Sequence, residues 1–182
     1  MAAIFADRIK TPLGPMALLA SNGVLLLLEF DDAAGRIDRQ MKQRFGAVKA
    51  ERSANPYGLS DKIRAYFDGD LAAIDDIATD GGGSDFESRV WAELRKIPCG
   101  TTQSYGAIAR RLGDVAMSRA VGLANARNPI AIVVPCHRVI GADGSLTGYG
   151  GGLPRKKWLL LHEGAALKAE QGDLFSSARS GS

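Results

Sequence analysis

The chain has few of the residues that build metal sites or disulfide frameworks. Its 182 residues include two cysteines, Cys99 and Cys136, and two histidines, His137 and His162. A structural zinc site built from Cys and His would consume all of them, and two cysteines make no disulfide scaffold. The sequence also lacks any apolar run near the ~20 residues that cross a bilayer. Val24-Leu25-Leu26-Leu27-Leu28 is only of strand length. The amino terminus, MAAIFADRIK, has neither the basic start nor the long apolar core of a signal peptide. These absences point to a cytoplasmic protein with no membrane partner, no metal and no cofactor.

What is present is unevenly distributed. The formal net charge is +3, but residues 1–84 hold ten Lys/Arg against twelve Asp/Glu, whereas residues 85–182 hold thirteen against eight. Between Thr101 and Arg138 there are five arginines and one acid, Asp114. A basic half beside an acidic half suggests that one half meets a polyanion.

The patterning predicts an α+β fold. Phe5–Ile9, Met16–Ala20 and Val24–Phe30 read as strands, the last two joined by the hairpin signal Asn22-Gly23. Residues 34–45 and Tyr57–Phe67 read as helices. Gly81-Gly82-Gly83 marks a linker, giving an N-terminal α/β domain over 1–80, a linker over 81–84 and a second domain over 85–168. The polar tail, 169–182, reads as disordered. After the glycines, Ser84-Asp85-Phe86-Glu87 fits a capping box for a helix that places Phe86, Val90, Leu94 and Ile97 on one face. Two short helices follow, Tyr105–Leu112 behind the cap Ser104 and about Ser118–Arg127. Their spacing in the basic region predicts a helix-turn-helix in a mostly helical, winged-helix-like second half.

The chemistry concentrates in Pro135-Cys136-His137-Arg138-Val139, which follows the apolar run Ile130–Val134. That run reads as a buried strand, with Cys136 at its end. A buried thiol reacts only when a base takes its proton or a cation stabilises the thiolate. His137 is adjacent, but neighbours on a strand point to opposite faces. An inert core cysteine is the alternative. Glu163 either orients His137 or is a solvated helix end. Asn128 either braces the thiol or is an ordinary turn residue before Pro129. Ser118, Arg119, Ala120, Ala124 and Arg127 lie on a helix of small residues, suited to close approach to a partner or to tight core packing. Arg119 sits near its start, where main-chain amides favour phosphate. Tyr105 opens the preceding helix. Tyr149 stands among six glycines between Gly141 and Gly152, where no packed element needs it.

Together, PCHRV, Gly148-Tyr149-Gly150-Gly151-Gly152 and Trp158-Leu159-Leu160-Leu161-His162-Glu163-Gly164 resemble the methylated-DNA–protein-cysteine methyltransferase family, the O6-alkylguanine-DNA alkyltransferases. The resemblance extends upstream through Ser104-Tyr105-Gly106, Arg119-Ala120-Val121-Gly122 and Asn128-Pro129. It covers about residues 84–164 strongly, and the first third is similar to the bacterial single-protein form.

The resemblance implies a monomer that binds alkylated double-stranded DNA through the minor groove and flips the damaged nucleotide into a pocket. It implies that Cys136 accepts the alkyl group once, that His137 takes the thiol proton through a water, that Glu163 polarises His137 and that Asn128 braces the turn. Tyr105 would rotate the nucleotide, Arg119 would fill the stack, and Ser118, Arg127 and the small Ala120 and Ala124 would meet the groove. Tyr149, Gly150, Gly151 and the Val139 backbone would line the base pocket. Ala126 and Gly150 depart from residues common in relatives, and the zinc ligands of some mammalian relatives have no counterpart. A non-catalytic lesion binder, a DNA-binding regulator and a cysteine hydrolase are competing readings. The first lacks the cysteine, the second needs a further domain, and the third leaves the helix pair unused.

Overall fold

A computed structural model describes residues 2–168; the tail read as disordered lies outside the described residues. The first half is a four-stranded sheet of β1 (Phe5–Ile9), β2 (Met16–Ser21), β3 (Val24–Phe30) and β4 (Glu51–Arg52), ordered β3-β2-β1-β4. The Asn22-Gly23 turn has both residues at positive φ, which matches the twist of a tight hairpin. It joins β2 to β3 in antiparallel register, and β1 pairs antiparallel with β2 and parallel with β4. Helices α1 (Ala34–Phe45) and α2 (Leu59–Phe67) accompany the sheet. The second half carries α3 (Asp85–Arg95), α4 (Tyr105–Arg111), α5 (Ser118–Ala126) and α6 (Leu153–His162), with a short parallel pair of β5 (Gln103–Ser104) and β6 (Val139–Ile140).

Local chemistry explains most boundaries. The Ser84 hydroxyl accepts from the Glu87 amide while the Glu87 carboxylate accepts from the Ser84 amide, completing the capping box of α3. Ser104 caps α4 in the same way through Ala107. Asp114 then caps the turn that leads into α5, giving the expected helix pair. Two assignments differ by more than a residue. Helix α2 begins at Leu59, not Tyr57, because Tyr57 has φ of 55°, packs edge-on against Phe5 and accepts the Asn22 amide hydrogen bond on its hydroxyl. The run Ile130–Val134 is a turn, not a strand, for reasons given below.

Strand β3 is a sheet edge, and an edge needs cover. Residues from both halves supply it. Leu25 exchanges main-chain hydrogen bonds with Ala78 and Asp80, and Leu28 does so with Pro129 and Ala131. The core is continuous across these contacts: Leu18, Leu28, Ile63 and Tyr66 join Val90, Leu94, Ile108, Val121 and Leu159 in one buried cluster. The glycines at 81 and 83 also have a packing reason. A side chain at either would meet the Trp91 ring, with Cβ placed 2.5 and 2.4 Å from it. That ring donates its Nε1–H to the Ala124 carbonyl at 2.9 Å. The segment over Cys136 is thereby hung on the first sheet, which sets the site's floor.

Candidate active site

The turn that carries Cys136 is bent twice. At the first bend the Val133 amide donates to the Ala131 carbonyl at 2.8 Å, with Ile132 between them at φ of 72°. This is a γ-turn of the rarer hand, a strained conformation for a β-branched residue. At the second, the Cys136 amide donates to Val134 at 2.8 Å around Pro135, whose φ of −83° and ψ of 65° make an inverse γ-turn. Asn128 holds the loop together. Its Oδ1 accepts from the Ile130 amide at 2.9 Å, and its Nδ2 donates to the carbonyls of Val134 at 2.8 Å and Ile130 at 3.2 Å. A straight strand is thus replaced by a braced, strained hook, the kind of backbone that persists only where its surroundings over-determine it.

Cys136–Arg138 then forms one turn of 3-10 helix, so Cys136 and His137 do not have opposed strand geometry. His137 is fully buried, and its Nε2 lies 3.0 Å from Glu163 Oε1. Glu163 is no solvated helix end: it sits just past α6 with its carboxylate enclosed. Arg138 clamps that carboxylate with Nε and Nη2, each at 2.8 Å, and the Tyr66 hydroxyl donates to it at 2.7 Å. Burial works against the Glu163 charge, but the hydrogen bonds from Arg138 and His137 outweigh it and hold the carboxyl well below its usual range. Burial pushes the His137 imidazole down despite Glu163, so it is neutral and able to accept a proton. Its Nδ1 is buried with no hydrogen-bond partner.

Burial also raises the Cys136 thiol, opposed by the Asn128 amide and by the charges of Lys156 and Arg36. Lys156 has no exposure at all, and its ammonium donates to the carbonyls of Val139 and Thr147, the latter at 2.7 Å. Burial brings its pKa down to about 8. It therefore ties β6 to the glycine segment beside the thiol.

A narrow cleft opens onto Cys136, lined by residues that include Asn128, Tyr149, Gly150 and Gly151. Gly151 must be glycine where it lies, since a Cβ would come within 2.9 Å of both Phe30 and Tyr149. A Cβ on Gly150 would meet the Arg36 guanidinium at 2.5 Å. Arg36 reaches across from α1, donating to the Ala126 carbonyl at 2.7 Å. Two expected members stand outside the lining. The Val139 amide donates to Cys136 and its carbonyl accepts from Lys156, so its main chain is already engaged. Tyr105 is half-buried and donates its hydroxyl to the Thr147 carbonyl at 3.3 Å, joining α4 to the glycine segment.

Helix α5 presents Arg119, Ala120, Leu123, Ala126 and Arg127 outward. Ala124 is a correction: it is buried beneath the helix, under the Trp91 hydrogen bond, and not on the outward face. Leu123, 53 % exposed, takes the place on that face that Ala124 was expected to hold. The Ser118 hydroxyl is spent on the Val115 carbonyl at 2.6 Å. The patterning also passed over Tyr66, Arg138, Lys156, Glu29, Arg36 and Asn125. A buried arginine next to the thiol–imidazole pair was the one available signal, since a buried guanidinium demands a carboxylate.

Comparison with known proteins agrees with this geometry. Residues 85–165 match the family model described as 6-O-methylguanine DNA methyltransferase, DNA binding domain. The chain is 46% identical over 170 residues to a methylated-DNA–protein-cysteine methyltransferase of Salmonella typhimurium, covering 92% of this chain and 99% of that one. It superimposes on a crystal structure of Mycobacterium tuberculosis O6-methylguanine methyltransferase with a TM-score of 0.74 at 40% identity, covering 94% and 99% of the two chains. A crystal structure of Mycobacterium tuberculosis OGT in complex with DNA gives 0.73 at 41% identity, over 88% and 92%. A braced thiol, a buried imidazole–carboxylate pair and an arginine-bearing helix occur here in a chain matched over nearly its whole length: it belongs to the methylated-DNA–protein-cysteine methyltransferase family.

Proposed function

We propose that this protein repairs alkylated DNA by moving the alkyl group of O6-alkylguanine, with O4-alkylthymine as a second candidate substrate, onto Cys136 in a single turnover. The observation that carries this reading is a buried thiol on a braced turn, followed in the chain by a buried histidine paired with Glu163. A thiol at the floor of a cleft cannot reach a base inside a duplex, so the nucleotide must leave the stack. His137 Nδ1 takes the thiol proton through a bridging water, and Glu163 stabilises the imidazolium. The sulfur bonds to the alkyl carbon as the carbon–O6 bond breaks. The bond pair remains on the base, which leaves as guanine carrying the proton that the thiol gave up. The thioether is stable and nothing in the chain removes it, so the protein acts once.

Arg119 enters the gap left by the flipped base, and Ser118, Ala120 and Arg127 face the minor groove with it. Tyr105 helps rotate the nucleotide, while Tyr149, Gly150 and Gly151 bound the base; the Val139 backbone, engaged with Cys136 and Lys156, supports that pocket from beneath. The protein works as a monomer in the cytoplasm, at the nucleoid when on DNA. Among the described residues no helix is long and apolar enough to cross a membrane.

Mixing the protein with an O6-methylguanine duplex tests the transfer. The recovered DNA should contain guanine in place of the lesion. Recovery of intact O6-methylguanine from a stable complex would favour a lesion binder instead. Two further outcomes follow. Because burial holds His137 neutral below the ordinary value of 6.5, the single-turnover rate should fall only below that pH. A rate halved already at 6.5 would mean an ordinary exposed imidazole. Affinity for undamaged duplex should weaken steeply with salt, and Arg127→Ala, at the exposed end of α5, should reduce both affinity and salt slope, as a lost phosphate contact does. Titration by fluorescence anisotropy at several salt concentrations reads both.

A further inference from the structure

Four buried side-chain polar atoms among the described residues have no hydrogen-bond partner: Glu29 Oε1, Asn125 Oδ1, Tyr149 OH and His137 Nδ1. Such orphans are rare in folded proteins and costly wherever they occur. Here they are not scattered. Glu29, Asn125 and Tyr149 all line the cleft that holds Cys136, and His137 is the next residue along the chain. Orphans gathered around one cleft mark groups waiting for a ligand. His137 has a role in moving the thiol proton, and Tyr149 and Asn125 stand where a base edge would come. Glu29 has no part in any of this.

Glu29 comes from the end of β3, in the first half of the chain and outside the residues matched by the family model. It is 6% exposed. Arg36 is its nearest cation, with Nε 3.5 Å from Oε1, too far for a hydrogen bond. That contact is an ion pair without a hydrogen bond, while Arg36 Nη2 donates to the carbonyls of Ala126 and Asn128. Burial pushes the Glu29 carboxyl up to about 7, with Arg36 opposing and Asp32 adding to the rise. Near neutrality it can therefore donate or accept. It lines the same cleft as Cys136, so a substituent on the transferred carbon has a path toward it.

We infer that Glu29 is a specificity-determining residue: its carboxyl receives a hydroxyl carried on the alkyl group, so the site prefers hydroxyalkyl lesions over apolar ones of equal size. The inference rests on the transfer reading above. The chemistry is unchanged. The Cys136 sulfur bonds the carbon attached to O6, that carbon–oxygen bond breaks with its electron pair left on the base, and the hydroxyl end moves across intact. A site built to hydrogen-bond a hydroxyl rejects the analogue lacking it, because its own polar group is then left unpaired.

The test uses duplexes carrying O6-(2-hydroxyethyl)guanine or O6-propylguanine, which have the same number of heavy atoms in the substituent, with O6-methylguanine as reference. Single-turnover transfer to the full chain is followed by intact mass. The wild-type protein should take hydroxyethyl about tenfold faster than propyl. Glu29→Leu should bring that ratio close to one, and Glu29→Gln, which keeps hydrogen-bonding capacity, should retain most of it. Equal wild-type rates for the two groups, with methyl transfer intact, would overturn the inference. So would a ratio that survives in Glu29→Leu. If Glu29→Leu does not fold, the wild-type ratio and Glu29→Gln still decide. Absence of methyl transfer from the wild type would instead sink the transfer reading itself.

Discussion

Glu163→Ala is expected to lower folding stability by about 3–5 kcal/mol, the usual cost of stranding one member of a buried ion pair. The carboxylate accepts from Tyr66, from two nitrogens of Arg138 and pairs with His137. Its removal leaves a buried guanidinium without a counter-charge and an imidazole free to turn. Transfer should slow on the order of ten-thousandfold, as when the acid that orients a catalytic histidine is lost. Urea denaturation and single-turnover kinetics give the two numbers. Tyr66→Phe removes only one of the carboxylate's donors and should cost about 1.5–3 kcal/mol. If Glu163→Ala unfolded no more easily than Tyr66→Phe, the carboxylate would not be the hub described here.

Asn128→Ala should have the second largest effect, and on rate more than on stability. The Val134 carbonyl keeps the Cys136 amide as a partner, and the Ile130 carbonyl keeps that of Val134. The Ile130 amide loses its acceptor, at a cost of about 1–3 kcal/mol. The hook around Ile132 is strained, and the remaining side-chain bond to it, from Asn125 to the Cys136 carbonyl, is long at 3.4 Å, so it should relax and carry the thiol with it. A displacement of about 1 Å at a reacting atom can slow a reaction about a hundredfold. Stopped-flow transfer with Asn128→Ala and Asn128→Asp reads the effect. Near wild-type rates in both would show that the turn holds itself.

Much of the frame was legible in the sequence because local chemistry set it. The Asn22-Gly23 hairpin, the Ser84–Glu87 capping box and the Ser104 cap each specify their element without help from distant residues. The run Ile130–Val134 was misread because five apolar residues satisfy a strand pattern equally well as a buried turn. What bends them is an amide two positions before the run, together with β3 from the other half. Ala124 was misplaced for a similar reason. Small residues mark both a groove face and a packed face, and only Trp91, on α3, decides between them.

The cleft's far wall was not legible at all. Glu29 and Arg36 lie in the acidic half, about a hundred residues from Cys136 in sequence. Nothing in β3 or α1 announces that they face the thiol, because the meeting depends on the docking of residues 129–131 onto the edge of β3. Tyr66 is hidden likewise, an apolar-face residue of α2 whose hydroxyl finds Glu163. Arg138 was in view within PCHRV, but its role appears only once burial removes water from around it.

The central claim is that Cys136 is the terminal acceptor of the alkyl group. The direct measurement is a titration of the protein with excess duplex bearing isotopically labelled O6-methylguanine, followed by digestion and mass analysis of both cysteine peptides. The account predicts that labelling saturates at one methyl group per chain, all of it on the Cys136 peptide and none on the Cys99 peptide. Continued release of repaired DNA beyond one equivalent, or label on any residue other than Cys136, would contradict it.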